Sequence, residues 1–352
     1  MDIYVLDGLN GRKDIIDSYE SVIWNIQFFD FGEFVLTVPR TKKNIRLLKK
    51  DVYLVRDFDM TSSAFYNVMI IEKVETEYEI EKGWIITVSG KGLKSLLRRR
   101  VIWNQANYNG NVEQGIRQAV TDNAINPTAS GRKIPGLALG PVKNIAGTFE
   151  AQLCGENLGE WLVETGTAYG IGWDIYIYNG SYIFELKTGT DRSTAQSDRD
   201  PVIFSPEYDN LVSVKVSEDW ENFINAGLVV GEGEGVNTRT ASVGSATGLA
   251  RYEDYINGGS VSSNGEIITL ATYLKMLQSF GEEEIKNRAY TRKVEAEVIA
   301  DGLFKLNEDY YLGDIVQMEI EGISAKTRIL EIIYSEDANG VKIVPTFGEW
   351  EE

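Results

Sequence analysis

The sequence predicts an α+β protein that is mainly β, with two similar small β-barrel-like domains and an α/β insertion between them. Three observations predict it. Runs of alternating apolar and polar residues, rich in Val, Ile, Phe, Tyr and Trp, fill both ends of the chain. Helix-period segments are few: one that closes the first part, two in the middle and one late stretch. The strand pattern of the first hundred residues also returns, faintly, near the C-terminus.

Residues 1–106 read as the first β-barrel-like domain. "SVIWNIQFFDFGEFVLTVP" (21–39) is two strands about a turn at "DFG". In its second half Phe34, Leu36 and Val38 alternate with Glu33, Val35 and Thr37, the period of a sheet. "DVYLVRDF" (51–58), "FYNVMIIEKVETEYEI" (65–80) and "GWIITVSG" (83–90) continue an antiparallel meander. "GKGLKSLLRRRVI" (90–102) closes it as a helix with Leu93, Leu96 and Leu97 on its apolar face. Arg98, Arg99 and Arg100 fall in the last turn, where free carbonyls and the helix dipole favour cations.

Residues 107–200 read as the α/β insertion. Val112, Ile116 and Val120 share one face of a helix in "NVEQGIRQAVTDNAI", and Leu158, Trp161, Leu162 and Tyr169 share a face of a second. Asn179-Gly180, between two alternating runs, marks a hairpin.

Residues 201–352 read as the second β-barrel-like domain, with strands possibly exchanged with the first. Strands resume at 210–235, and the Gly, Ser, Thr and Asn of 231–265 predict a long loop. A helix over 266–289 carries a stripe of Leu270, Leu274, Leu277 and Ile285, with Gly281 as its expected kink or break. Four strands follow, the last two joined by a turn at Asn339-Gly340. "DVYLVRD", "MIIEKVETEY" and "GWIITVSGKG" near the start are echoed by "DYYLGDIV", "RILEIIYSED" and "GVKIVPTFGE" at the end.

Composition excludes several function classes. Lys and Arg number 35 against 53 Asp and Glu, a net charge of -18, which repels phosphate backbones and anionic lipid heads. Histidine is absent, which removes Ser-His-Asp and Cys-His nucleophiles, common zinc sites and histidine acid/base chemistry. The single cysteine, Cys154, has no partner for a disulfide and no base to activate it, and it reads as a small buried hydrophobe. The first residues show no signal peptide, and no apolar run reaches the roughly 18 residues of a membrane span. A chain made and folded in a reducing cytosol is expected.

Few motifs carry chemistry. As an anion site, Arg98 to Arg100 would need more basic partners or a helix N-terminus. In so acidic a chain they read instead as a helix end that meets carboxylates of another domain or subunit. "VVGEGEG" (229–235) lacks the Lys-Ser/Thr of a phosphate loop, and its glutamates would repel phosphate. "DRDP" (198–201) and "SEDANG" (335–340) lack the alternating oxygen pattern of a calcium loop. A glycan-active enzyme using two carboxylates stays open, because spacing cannot select a pair from so many acids. So does a carbohydrate-binding surface on Trp161, Trp173 and the "YIYNGSY" aromatics. No catalytic, cofactor or metal residue is assigned.

Taken in order, "SVIWNIQFFDFGEFVLTVP", "VSGKGLKSLLRRRVI", "NAGLVVGEGEG" and "YYLGDIVQMEI…RILEI…IVPTFGE" resemble the tail hub proteins of phages and prophages of Gram-positive bacteria. These are similar in fold to the baseplate hub of contractile tails. The most specific piece is Gly90, Leu93, Leu96, Leu97 and Arg100. The resemblance implies a structural protein with no cofactor: a homotrimer with two similar β-domains per chain, adapting a threefold tip to a sixfold tail tube. It implies the tail tube or distal tail protein, the tape-measure protein and a spike or receptor-binding fibre as partners, and DNA only in passing. Location would be the virion tail tip or baseplate, after assembly in the host cytoplasm. Tail-like bacteriocins and contractile injection particles fit equally. Many relatives continue into a hydrolase or fibre, which the sequence ending at Glu352 is expected to leave to another polypeptide.

Overall fold

Alternating burial builds the first part of the chain. The computed structural model describes residues 2–9, 11–56, 63–81, 83–263, 265, 267–299, 302–320 and 322–351. Strands β1 (Ile3–Leu6), β2 (Arg12–Ile16), β3 (Ser21–Gln27) and β4 (Glu33–Pro39) precede a short helix, α1 (Lys42–Leu47). Thr41 caps α1 by accepting from the Asn44 amide at 3.1 Å. Then come β5 (Tyr53–Arg56), β6 (Ala64–Phe65), β7 (Met69–Glu79) and β8 (Gly83–Gly92). Phe34, Leu36 and Val38 point inward and are buried, as their alternation requires. Residues 57 and 58 of the expected third strand lie outside the described residues.

The middle of the chain holds β9 (Ala106–Asn111), α2 (Val112–Val120), β10 (Leu137–Leu139), β11 (Thr148–Leu153), α3 (Leu158–Tyr169), β12 (Gly172–Tyr178) and β13 (Ser181–Lys187). Asn111 and Asn157 cap the two helices with their side-chain oxygens. Val112, Ile116 and Val120 are all buried, as are Leu158, Trp161 and Leu162. The β12–β13 turn is Asn179-Gly180, with φ of 47° and 72°, the two left-handed residues that match hairpin twist.

The last part begins with β14 (Ile203–Phe204), β15 (Leu211–Asp219) and β16 (Ala226–Val230), and then departs from expectation. The segment read as a long loop contains β17 (Thr240–Val243) and β18 (Glu253–Asn257), which flank β16 in a three-stranded sheet. Helix α4 (Leu270–Asn287) covers this sheet. Position 266, the expected helix start, lies outside the described residues. Of the expected stripe only Leu277 is fully buried, and Leu270 is exposed; Tyr273, Met276 and Gly281 complete the inward face. Gly281 does not end the helix, which runs unbroken to Asn287. A Cβ there would lie 2.3 Å from the Val229 side chain, so its absence lets α4 sit close on the sheet.

Four strands end the chain: β19 (Thr291–Val298), β20 (Ile315–Ile320), β21 (Ile323–Asp337) and β22 (Gly340–Glu351). The final turn is one residue earlier than the Asn-Gly pair predicts. Asp337 pairs with Gly340, Ala338 and Asn339 form the tip, and Gly340 takes the positive φ of 115°.

Among the described residues, thirteen strands join in one sheet, in the order β15-β19-β22-β21-β3-β4-β8-β7-β5-β1-β2, with β20 and β14 added beside β21. The two ends of the chain therefore meet where β3 pairs with β21. One core lies beneath, with Trp24, Leu36 and Val88 from the start and Val316, Ile329 and Phe347 from the end. A second core fills the middle segment, and a third lies between α4 and its sheet. The protein is mainly β, with several sheets, as expected.

Candidate functional site

The stretch Gly90–Arg100 joins the large sheet to the middle segment. Gly90, in β8, faces a bulge in β7, where pairing skips from Ile71 to Lys73. A Cβ on Gly90 would lie 1.9 Å from the Ile70 carbonyl oxygen, so only glycine fits this crossing. The chain then winds into a 3-10 helix, Leu93–Arg99, instead of an α-helix. Leu93, Leu96 and Leu97 are buried in the second core, beside Leu158 and Trp161 from α3.

The most constrained cation here is Lys94, which the sequence reading passed over. Its ammonium donates to the carbonyls of Gln27 at 2.7 Å, Phe28 at 3.0 Å and Asp30 at 2.8 Å. The Nζ also lies 5.0 Å from the Trp173 ring centroid. Burial pushes its pKa down to about 7, while Asp174 and Asp30 act the other way. Lys94 thereby fixes the connection between β3 and β4 to the helix. A signal was available: in a helix of three residues per turn, Lys94 falls in line with Leu97, which is fully buried.

The three arginines separate. Arg98 Nε donates to Glu160 of α3 at 2.9 Å and its guanidinium covers Phe31, while Arg99 donates to Asp51, before β5, at 2.8 Å. Arg100 meets carbonyls instead of a carboxylate: those of Arg132, Arg99 and Lys133. Burial lowers the Arg100 pKa, and Arg132 and Arg99 add to this. Both ion pairs are about half exposed, so each is worth about 0–1 kcal/mol. The cluster joins neighbouring segments and leaves no convergent set of free guanidinium groups for an anion.

Other candidates resolve in the same way. Glu232 of the "VVGEGEG" stretch accepts from the Ser262 hydroxyl at 2.5 Å and the Ser263 amide at 2.7 Å, which places the loop before α4. In "DRDP" the Asp198 and Arg199 amides bond Gln196, and in "SEDANG" the Asn339 amide bonds Asp337 at the turn while Glu336 accepts from the Tyr19 hydroxyl at 2.7 Å. No group of three or more metal-ligating side chains occurs among the described residues. No described helix is long and apolar enough to cross a membrane.

Two expectations are overturned. Trp161 and Trp173 are 4% and 2% exposed, so neither can form a sugar-stacking surface. They fill the second core because α3 and β12 turn those faces inward. Cys154 is exposed, not buried, because β11 ends at Leu153 and the chain turns outward through Gly155, with φ of 100°.

Carboxylates gather mainly where α3 meets α4. Burial raises the Glu283 pKa to about 7, and Glu164 and Glu284 add to the effect, against the Thr165 hydroxyl, which donates to it at 3.4 Å. Burial also raises Glu164 and Glu156. The deepest single carboxylates are saturated by donors. Asp314 takes Arg192 Nε at 2.6 Å and the amides of Thr190 at 2.8 Å and Tyr311 at 3.0 Å. Glu113 takes the amides of Lys143 and Ile145.

The fold is similar to that of a prophage MuSo2 43 kDa tail protein from Shewanella oneidensis, at 16% identity and a TM-score of 0.59, over 99% of this chain and 98% of the other. It is also similar to that of a tail protein from Neisseria meningitidis MC58, at 14% identity and a TM-score of 0.56, over 99% and 96%. No curated protein matches the chain. A family model described as Siphovirus ReqiPepy6 Gp37-like protein matches residues 2–349, nearly the whole length, and the chain belongs to that family.

Proposed function

We propose that this protein is the structural hub of a phage tail tip or baseplate, or of a related tail-like particle, and acts without enzymatic chemistry. One observation carries the reading furthest. The segments that echo each other in sequence also pair alike: β5 with β7 and β7 with β8, then β20 with β21 and β21 with β22, all antiparallel. Each hairpin is bulged, the first at Ile71/Lys73 and the second at both Thr327/Ile329 and Ile329/Glu331. A glycine lies beside each bulged region, Gly90 against the Ile70 carbonyl and Gly348 against the Leu330 side chain.

Two such units per chain, in a homotrimer, would present six similar domains to a sixfold tail tube and threefold symmetry to a spike or fibre. In this reading residues 1–106 and 201–352 are the two β-barrel-like domains and 107–200 the insertion. The β3–β21 pairing then makes the two domains share one sheet. The tape-measure protein and, during ejection, DNA would occupy the axis; a net charge of -18 suits passage without retention. The hub would assemble in the host cytoplasm and remain at the virion tail tip.

Light scattering after size exclusion, with negative-stain images, tests the assembly. A mass of three chains and threefold rings are expected. A stable monomer at micromolar concentration without rings would overturn the hub reading.

A further inference from the structure

Beside the Lys94 junction lies an open cleft of about 460 Å³, within the size range of small-molecule sites. It is bounded on one side by β12 and the residues after β6, and on the other by the segment before β20. Two tyrosines line it, and each ring is held on one side. Tyr66 stacks on Tyr176 with centroids 4.7 Å apart and planes 30° from parallel, yet stays 50% exposed. The Arg192 guanidinium lies 5.6 Å from the Tyr311 ring centroid, and Tyr311 stays 43% exposed.

The polar lining has a definite character. Lys187 donates to Asp174 at 2.7 Å. Burial alone would lower the Lys187 pKa, but Asp174, with Glu185 and Tyr66, more than reverses this, so Lys187 is held charged beside the Asp174 carboxylate. Lys94 already directs its three N–H donors at three carbonyls. Among the described lining residues both lysines are therefore already engaged, Lys94 by carbonyls and Lys187 by Asp174. Its remaining described polar side chains are the amides of Asn67, Asn307 and Gln27, the last donating to Glu331, and the two tyrosine hydroxyls, each able to donate and to accept.

From flat, exposed aromatic faces beside uncharged amides and hydroxyls and lysines that already have partners, we infer that this cleft binds a neutral saccharide. The aromatic rings take the apolar C–H face of a pyranose, and Asp174, Lys187 and the asparagine amides take its hydroxyls. The site shares Tyr176 of the "YIYNGSY" stretch with the surface expected from sequence, but its exposed rings are Tyr66 and Tyr311 instead of Trp161 and Trp173. It does not depend on the tail-hub reading, and a monomeric protein would retain it.

Saturation-transfer NMR on the intact chain, with glucose, galactose, rhamnose and N-acetylglucosamine each at millimolar concentration, tests the inference. Transfer to at least one sugar is expected. Affinity should fall about tenfold in Tyr66→Ala and again in Tyr311→Ala, while Tyr66→Phe keeps it. Melting curves check folding, and Tyr66→Leu replaces Tyr66→Ala if the latter is unstable. The inference fails if no sugar receives transfer, or if transfer survives in the Tyr66→Ala/Tyr311→Ala double variant. Displacement of the sugar by glycerol 3-phosphate but not by glycerol would also overturn it, by making the cleft an anion site.

Discussion

Trp220 stacks on Tyr290, with ring centroids 5.0 Å apart and planes 15° from parallel. The pair sits one residue beyond the Asp219–Thr291 end of the β15–β19 ladder. The described residues between them, chiefly three strands and α4 with their own core, thus form an inserted module entered through this neck.

Trp220→Ala should remove about 1 kcal/mol of stacking and loosen the module more than the body. Hydrogen exchange is the readout. Faster exchange in β16–β18 and α4, with β21–β22 unchanged, is expected; uniform acceleration would show that the neck is not a separate unit.

Gly90→Ala places a methyl group against the Ile70 carbonyl, which is backbone and cannot turn away. A loss of about 3 kcal/mol, at the upper end for overpacking, is expected in denaturant titrations. A loss below about 0.5 kcal/mol, the level of a surface substitution, would mean that the β7 bulge relaxes freely.

Arg98→Ala and Asp314→Ala make a contrasting pair. The Arg98–Glu160 contact is solvent-exposed, so its loss should cost less than about 1 kcal/mol. Asp314 is 4% exposed and holds Arg192 and two amides, so its removal should cost about 3–5 kcal/mol. Equal melting temperatures for the two variants would contradict this ranking.

Glu283 predicts a pH dependence. Its carboxyl holds a proton up to about 7 in the folded chain, against 4.5 ordinarily, because burial and Glu164 oppose ionisation. Between those values the folded state binds more protons than the unfolded state. Its contribution is therefore full below pH 4.5 and is lost as pH rises to about 7. Across the contact, α4 brings Glu282, Glu284 and Lys286, while α3 brings Glu164 and Tyr169. Glu283→Gln should flatten the stability profile between pH 5 and 7.5 (about its two pKa values) in urea titrations. An unchanged profile in that variant assigns the dependence to another group.

Much of the fold was legible because its signal is local. The alternation of Phe34, Leu36 and Val38, the Asn179-Gly180 turn and the spacing of Val112, Ile116 and Val120 each report directly on a strand, hairpin or helix. The inserted module was not legible. Its strands β17 and β18 are four and five residues long, and their Gly, Ser and Thr neighbours read as loop. They are strands because α4 covers one face of their sheet, a tertiary cause. Lys94 was missed for a similar reason: a lysine usually marks a solvated face, and only three converging carbonyls reverse that.

By itself the sequence determined the local periods, the turn chemistry, the charge and the absence of histidine chemistry. Those fix a mainly β protein and follow from side chains acting within a few residues of one another. Only the tertiary structure decided that β3 pairs with β21, that Trp161 and Trp173 face inward while Cys154 faces out, and that Arg98 meets Glu160. Partners separated by tens to hundreds of residues are chosen by the shared burial of whole faces, which no local pattern records.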